Sequence, residues 1–309
     1  MSESNPIATQ IRKSPGIRIA VLFGLFFFML CVTSLLILPL QSFSFGDERV
    51  HQLMNSTFQS LFVFCFPAIL LAKFASPNPL KWLRITNSAP VKSYLGVLLV
   101  FVISMPAMEW LIEWNKALHL PDFLSSLESQ LREWEEANDI VTQNILKANS
   151  WVSIFAGVCI IGILTGFAEE IFFRGAFQGI LVRSSLGINL SVWAAAFIFS
   201  CMHFQFFGFL PRLLMGAFFG YLLVWTRSLW VPIFAHIFNN SIVVITAGIT
   251  GNAEISFNQP PSNASHIIAI LSFTLTTLFF FFFRHYFFAP LKINKVRWQK
   301  KRVQQATKN

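Results

Sequence analysis

The sequence predicts an all-α fold, a polytopic transmembrane helical bundle of about eight spans. Three observations predict it. Apolar residues make up 55% of the 309 residues, and charged residues only 12%, where a soluble domain carries about 25%. Mean hydropathy is +0.60. The apolar residues also fall in runs long enough to cross a bilayer, about 20 residues each, at 18–40, 53–72, 91–112, 151–182, 190–207, 209–226, 229–249 and 266–288. No room is left for a separate large soluble domain.

The first run is too long for the apolar core of a signal peptide, and no small-residue cleavage site follows it, so it reads as a retained helix. Pro39, Pro67, Pro106, Pro211 and Pro232 punctuate the spans and suggest kinks or helix starts. The segment 113–150 is acidic. Within it Phe123, Leu124, Leu127, Leu131 and Trp134 recur at helical spacing. That pattern predicts an amphipathic helix on the outer surface, either simply packed there or gating a substrate. GILTG (162–166) and GAFFG (216–220) read as helix-packing motifs with no chemical role. The Phe-rich run 279–283 reads as lipid-facing.

Charge orients the bundle. The net charge is +9, but the basic residues sit at span ends and in the tail (Lys292, Lys295, Arg297, Lys300, Lys301, Arg302, Lys308). This argues for cytoplasmic flanks facing anionic lipid and against a nucleic-acid partner. Arg12, Lys13 and Arg18, then Lys73, Lys81, Arg84 and Lys92, then Arg183 and Arg227, fall on one side. The acidic segment falls on the other. The expectation is an integral membrane protein, placed in the inner (plasma) membrane, with both termini cytoplasmic. Cys31, Cys65, Cys159 and Cys201 each stand alone in an apolar run and imply no disulfide framework.

Ionisable residues inside spans are expensive unless paired, which makes them functional candidates. Three groups stand out: Glu169 and Glu170 with Arg174; His203; and His236 with Asn240. Glu170 and Arg174 are i,i+4 and can pair. Glu169 lies about 100° round the helix, on the face of Gly162 and Gly166, with no partner nearby in sequence. A carboxylate without a partner in an apolar site suits a general base. His236 and Asn240 share a helix face. With the glutamate and His203 they make a base, its orienter and donors for an oxyanion, and water is the simplest nucleophile. Singly, a histidine in a span is more often a helix–helix hydrogen bond than a catalyst, and Asn240 also reads as such glue; the argument rests on the three groups occurring together. His51, His119, His266 and His285 lie in loops or at span ends and read as unremarkable.

Taken together, EEIFFR (169–174), FSCMH (199–203) and HIFNN (236–240) resemble, in order and rough spacing, the EExxxR, FxxxH and HxxxN motifs of the CPBP intramembrane protease family. That family includes CAAX prenyl protease 2 (Rce1-like) and bacteriocin-processing proteins. The resemblance covers about 151–245. It implies a helical-bundle endopeptidase in which Glu169 and His203 activate a water, His236 and Asn240 stabilise the oxyanion, and Glu170 and Arg174 support them. The chain then divides into N-terminal spans with the surface helix (1–150), a CPBP-like catalytic core (151–249), and a last span with the basic tail (250–309). The expected substrate is a membrane-associated CaaX-type, leader or bacteriocin-like peptide, and the expected mechanism has no cofactor. Zinc is the alternative, with ligands from separate helices because the chain has no HExxH. Two other readings stand beside the protease. One is a non-proteolytic immunity or scaffold protein of the same fold. The other is a proton-coupled transporter, which would show internal symmetry that the sequence lacks.

Overall fold

The computed structural model describes residues 11, 14–41, 47–148, 150–251 and 263–288. Among them the chain is helical throughout, with no strand. Ten helices follow in order: α1 (Pro15–Gln41), α2 (Glu48–Ala75), α3 (Pro79–Trp82), α4 (Val91–Lys116), α5 (Ser125–Leu146), α6 (Trp151–Arg183), α7 (Ile188–Cys201), α8 (Phe209–Thr226), α9 (Trp230–Thr250) and α10 (Asn263–Phe287). Seven of the described helices are long and apolar enough to cross a membrane. The expected span at 190–207 is the exception. It is the 14-residue α7, about 21 Å long at 1.5 Å per residue, against about 30 Å for a hydrocarbon core. It stops at Cys201, turns through Phe206–Gly208 and returns as α8. Apolar composition alone cannot reveal such a turn, because Phe204, Phe206 and Phe207 keep the run hydrophobic across it.

Local signals account for the helix starts and bends. Asp47 caps α2 by accepting from the Val50 N–H, and Ser150 caps α6 by accepting from Ser153. Pro39 and Pro106 lie inside α1 and α4. Pro211 and Pro232 occupy first turns, where a missing N–H is harmless. Three stretches are wound as π-helix: Gln59–Cys65 in α2, and Val158–Thr165 and Ile171–Gln178 in α6. Such stretches concentrate at functional sites. Ser60 and Thr165, one from each helix, share a 3.1 Å hydrogen bond where two of them meet.

The main core gathers Phe172, Phe173, Ile180, Phe199, Leu71 and Leu83 with residues of α1, α2, α8 and α9. A second cluster joins α4, α8, α9 and α10. In α10, Phe279 is buried in that cluster, while Phe281 and Phe282 are exposed. The four cysteines are free.

The helix α5 grips the bundle with its polar face. Glu135 accepts from the Phe207 N–H at 3.0 Å, Asp139 accepts from Gln205, and Arg132 sits over the Phe207 ring at 4.0 Å. Leu127 and Trp134 of α5, and Phe123 in the turn before it (83% exposed), point away from the protein, while Leu124 and Leu131 are half-buried. That is the reverse of a soluble surface helix and fits one that rests on lipid. At the opposite end of the bundle, the connections near Arg84, Arg183 and Arg227 are tied together: the Leu229 N–H donates to the Arg84 carbonyl, and Arg183 donates to that of Trp82. The loops that charge places on one side therefore meet at one end. The basic tail lies outside the described residues.

Candidate active site

Glycines set the site's dimensions. A Cβ on Gly166 would lie 3.2 Å from the Ile237 backbone nitrogen, and one on Gly162 would collide with the Ser241 hydroxyl. These two residues let α6 lie against α9, so that His236 reaches the glutamates. On the other flank, Gly216 brings α8 within contact of Ala196 and Phe199 of α7. The same approach exposes two carbonyls. Arg174 donates to that of Gly216 and Gln178 to that of Gly220, each at 3.0 Å.

Glu169 and Glu170 sit on the five-residue α stretch Gly166–Glu170 between the two π stretches of α6. Their surroundings differ sharply. Glu170 is fully buried and serves two partners through one oxygen: Arg174 donates to Oε1 at 2.6 Å, and His236 Nδ1 lies 2.9 Å from the same atom. Its Oε2 has no partner. Arg174 is 1% exposed; its guanidinium stacks on Phe199 at 4.5 Å and Phe219 at 5.4 Å. Glu169 keeps 12% of its side chain exposed and has His236 Nε2 at 3.6 Å, too far for a hydrogen bond. His236 thus bridges two carboxylates, held in place by Glu170, and its ring packs between Phe199 (5.9 Å) and Phe219 (5.3 Å).

His203 lies past the end of α7. Its Nδ1 is 2.8 Å from the Phe199 carbonyl, and the two rings are 4.8 Å apart. If Nδ1–H donates there, Nε2 is left as the acceptor. Phe199 touches both histidines, so the short α7 brings His203 to the depth of His236. Phe204, the next residue, is in the left-handed region at φ 52°. Such strain in a non-glycine residue clusters at functional sites. Asn240 donates from Nδ2 to the Ile161 carbonyl at 3.2 Å, and its Oδ1 accepts from Asn239. One N–H of its amide stays available.

Glu169, Glu170, Arg174 and His236 are therefore directly connected. His203 adjoins them through Phe199, and Asn240 stands one turn along α9. Arg212 is a further charged residue beside the site. It lies in the first turn of α8, donates to the backbone carbonyl and side-chain oxygen of Gln205, and is within electrostatic reach of Glu169 and His203. A single charge inside the apolar run 209–226 was the signal that could have found it. Of the histidines outside the site, His119 pairs with Glu128 at 2.9 Å and His266 accepts from Trp110. Among the described residues, no three His, Cys, Asp or Glu are placed to ligate one metal.

Fold and site define a polytopic helical membrane protein with a buried carboxylate–imidazole network at its centre. Residues 150–242, the segment holding every residue of that network, match the type II CAAX prenyl endopeptidases described as Rce1-like. The match covers under a third of the chain, and through this segment the protein is similar to the CAAX-type intramembrane proteases. Comparisons with curated proteins and with solved structures find no match.

Proposed function

We propose that the protein is an endopeptidase that hydrolyses a peptide bond of a membrane-associated substrate by means of a water activated at Glu169. The observation that carries this reading is the division of labour between adjacent glutamates. Glu170 is committed to Arg174 and His236. Glu169 has no hydrogen bond and remains partly open. A carboxylate free to take a proton from water, with an imidazole nearby, is what general-base hydrolysis requires.

The roles follow. Glu169 accepts the proton of the attacking water. His203, with Nε2 as acceptor, helps orient that water. Glu170 fixes the ring of His236, which donates from Nε2 only when it carries a second proton and can then stabilise the oxyanion or protonate the leaving amine. The spare N–H of Asn240 is the second oxyanion donor. No metal enters this sequence of steps. The substrate class is a CaaX-type, leader or bacteriocin-like peptide lying at the membrane, and the basic end of the bundle faces the cytoplasm in the inner membrane. The test is a proteomic comparison of cells producing the wild type and Glu169→Ala. A membrane-associated peptide should accumulate uncleaved with the variant. Identical peptide sets would sink the proposal.

A further inference from the structure

Far from the site, three arginines converge at the basic end of the bundle. Arg84 lies after α3, Arg183 ends α6, and Arg227 joins α8 to α9. Each is half-buried. Arg84 feels the charges of both Arg227 and Arg183. Burial first, and then the Arg227 charge, push the Arg84 guanidinium below its ordinary value. Among the described residues no carboxylate lies within 4.0 Å of any of the three.

This crowding is imposed by the backbone. Arg84 and Arg227 are both left-handed, at φ 63° and 59°, and Phe204 is the only other described non-glycine residue in that region. The two turns are stitched side by side. The Leu229 N–H donates to the Arg84 carbonyl at 3.3 Å, Asn87 Nδ2 to the Arg227 carbonyl at 2.7 Å, and Ser228 Oγ to the Asn87 carbonyl at 2.5 Å. Trp230 Nε1 closes the set on the Ile85 carbonyl at 2.7 Å. Arg183 is positioned by the carbonyls of Gly179 and Trp82 and lies 4.8 Å over the Trp82 ring. The side chains of Arg84 and Arg227 make no hydrogen bond to any described residue. In strained turns that hold like charges together with donors unspent, a bound anion would offset the repulsion and take up those donors.

We infer that Arg84, Arg183 and Arg227 form a binding site for a phosphate group. Guanidinium forks match phosphate oxygens two at a time. The surroundings point to the source: Leu80, Leu186 and Trp230 beside the cluster are exposed, as befits residues flanking an acyl chain at a membrane interface, where a basic pocket holds an anionic headgroup.

The experiment uses the full-length protein in detergent, with native mass spectrometry to count retained lipid. Phosphatidylglycerol and phosphatidylcholine of the same chain length are offered together, and inorganic phosphate is titrated in a separate arm. Wild type should retain phosphatidylglycerol preferentially. Arg227→Gln and Arg84→Gln should each weaken retention about fivefold, and the pair about twenty-five-fold. Lys73→Gln, an exposed charge at the same end, should change it little. Inorganic phosphate that displaces the lipid at millimolar levels would assign the site to free phosphate. Failure to displace it assigns the site to a headgroup. Equal retention of the two lipids with no response to phosphate overturns the inference, as does a Lys73→Gln loss equal to that of Arg227→Gln. Should Arg84→Gln not fold, Arg227→Gln decides, since its side chain has no partner in the described fold.

Discussion

Glu170→Gln keeps the shape of a side chain and removes its charge at the most enclosed point of the network. Glu170 Oε1 lies 2.6 Å from Arg174 and 2.9 Å from His236, with the Glu170 and Arg174 side chains 0% and 1% exposed. Removing one partner of a buried pair costs about 3–5 kcal/mol, because the other charge is stranded. Arg174 keeps the Gly216 carbonyl and the Phe199 ring, which places the expectation near the low end. At about 2 °C per kcal/mol for a large chain, a loss of about 3 kcal/mol lowers Tm by about 6 °C. Glu169→Gln removes no comparable contact, since its nearest ionic atom is at 3.6 Å. It should leave Tm within about 2 °C and lower cleavage about 10²–10⁴-fold, the usual worth of a general base. The double variant Glu170→Gln/Arg174→Gln should regain part of the lost stability, because the stranded charge is gone. Thermal unfolding and single-turnover cleavage on the same detergent preparations measure both. A stable but inactive Glu170→Gln beside an active Glu169→Gln would refute the assignment.

Gly166→Ala should push α9 away by crowding the Ile237 backbone. Expected are a stability loss of about 1–3 kcal/mol and lower turnover, with His236 chemical shifts reporting the separation; full activity would show that the contact is not required. Asn240→Ala should reduce turnover about a hundred- to a thousandfold with little change in KM, while Asn239→Ala should act nearly as wild type in the same single-turnover assay. On the segment between α4 and α6, the Leu120 N–H and then Arg132 hold Glu128 down to about 2. A depressed carboxylate stabilises the folded state above its unfolded value, about 4.3, and that contribution fades as pH falls from there towards 2. Hydrogen exchange in the first turns of α5 should therefore quicken between about pH 4 and 2, and Glu128→Gln should abolish the dependence. Purified protein should carry no stoichiometric zinc and keep its activity in chelator at pH 7; a full equivalent lost in His236→Ala would move the mechanism to metal-assisted hydrolysis.

Much of this architecture was legible because membrane spans obey a blunt rule: long apolar runs must be helices. The Glu170–Arg174 pair was legible for a related reason, since i,i+4 spacing puts the two on one face whatever surrounds them. Other features were not. Helical periodicity carries no sign of π winding, so the five-residue α stretch under the glutamates could not be read. The early stop of α7 was hidden because its turn is as apolar as its helix. Arg212 was missed on the same account, since a first-turn charge looks like a loop charge until the turn is placed. The pairing of His236 with both glutamates depends on helix approach across α6 and α9. Gly162 and Gly166 allowed that approach on sequence, but they did not name the partner.

Adjacent glutamates on one helix would ordinarily repel and share a fate. Here rotation by about 100° turns Glu170 towards α8, whose glycine-opened carbonyl and aromatic rings also receive Arg174, and leaves Glu169 facing His236 Nε2 across a gap. The low dielectric that makes an unmatched charge costly also strengthens each remaining interaction. Arg174 therefore does more than neutralise Glu170: it fixes that carboxylate, so that His236 has one orientation and Glu169 is spared as a structural counter-charge. The polar face of α5 covers the turn after His203 through Glu135 and Asp139. On the proposed mechanism stability rests on the inner glutamate and reactivity on the outer one, and that separation holds only while α6, α8 and α9 stay as close as their glycines permit.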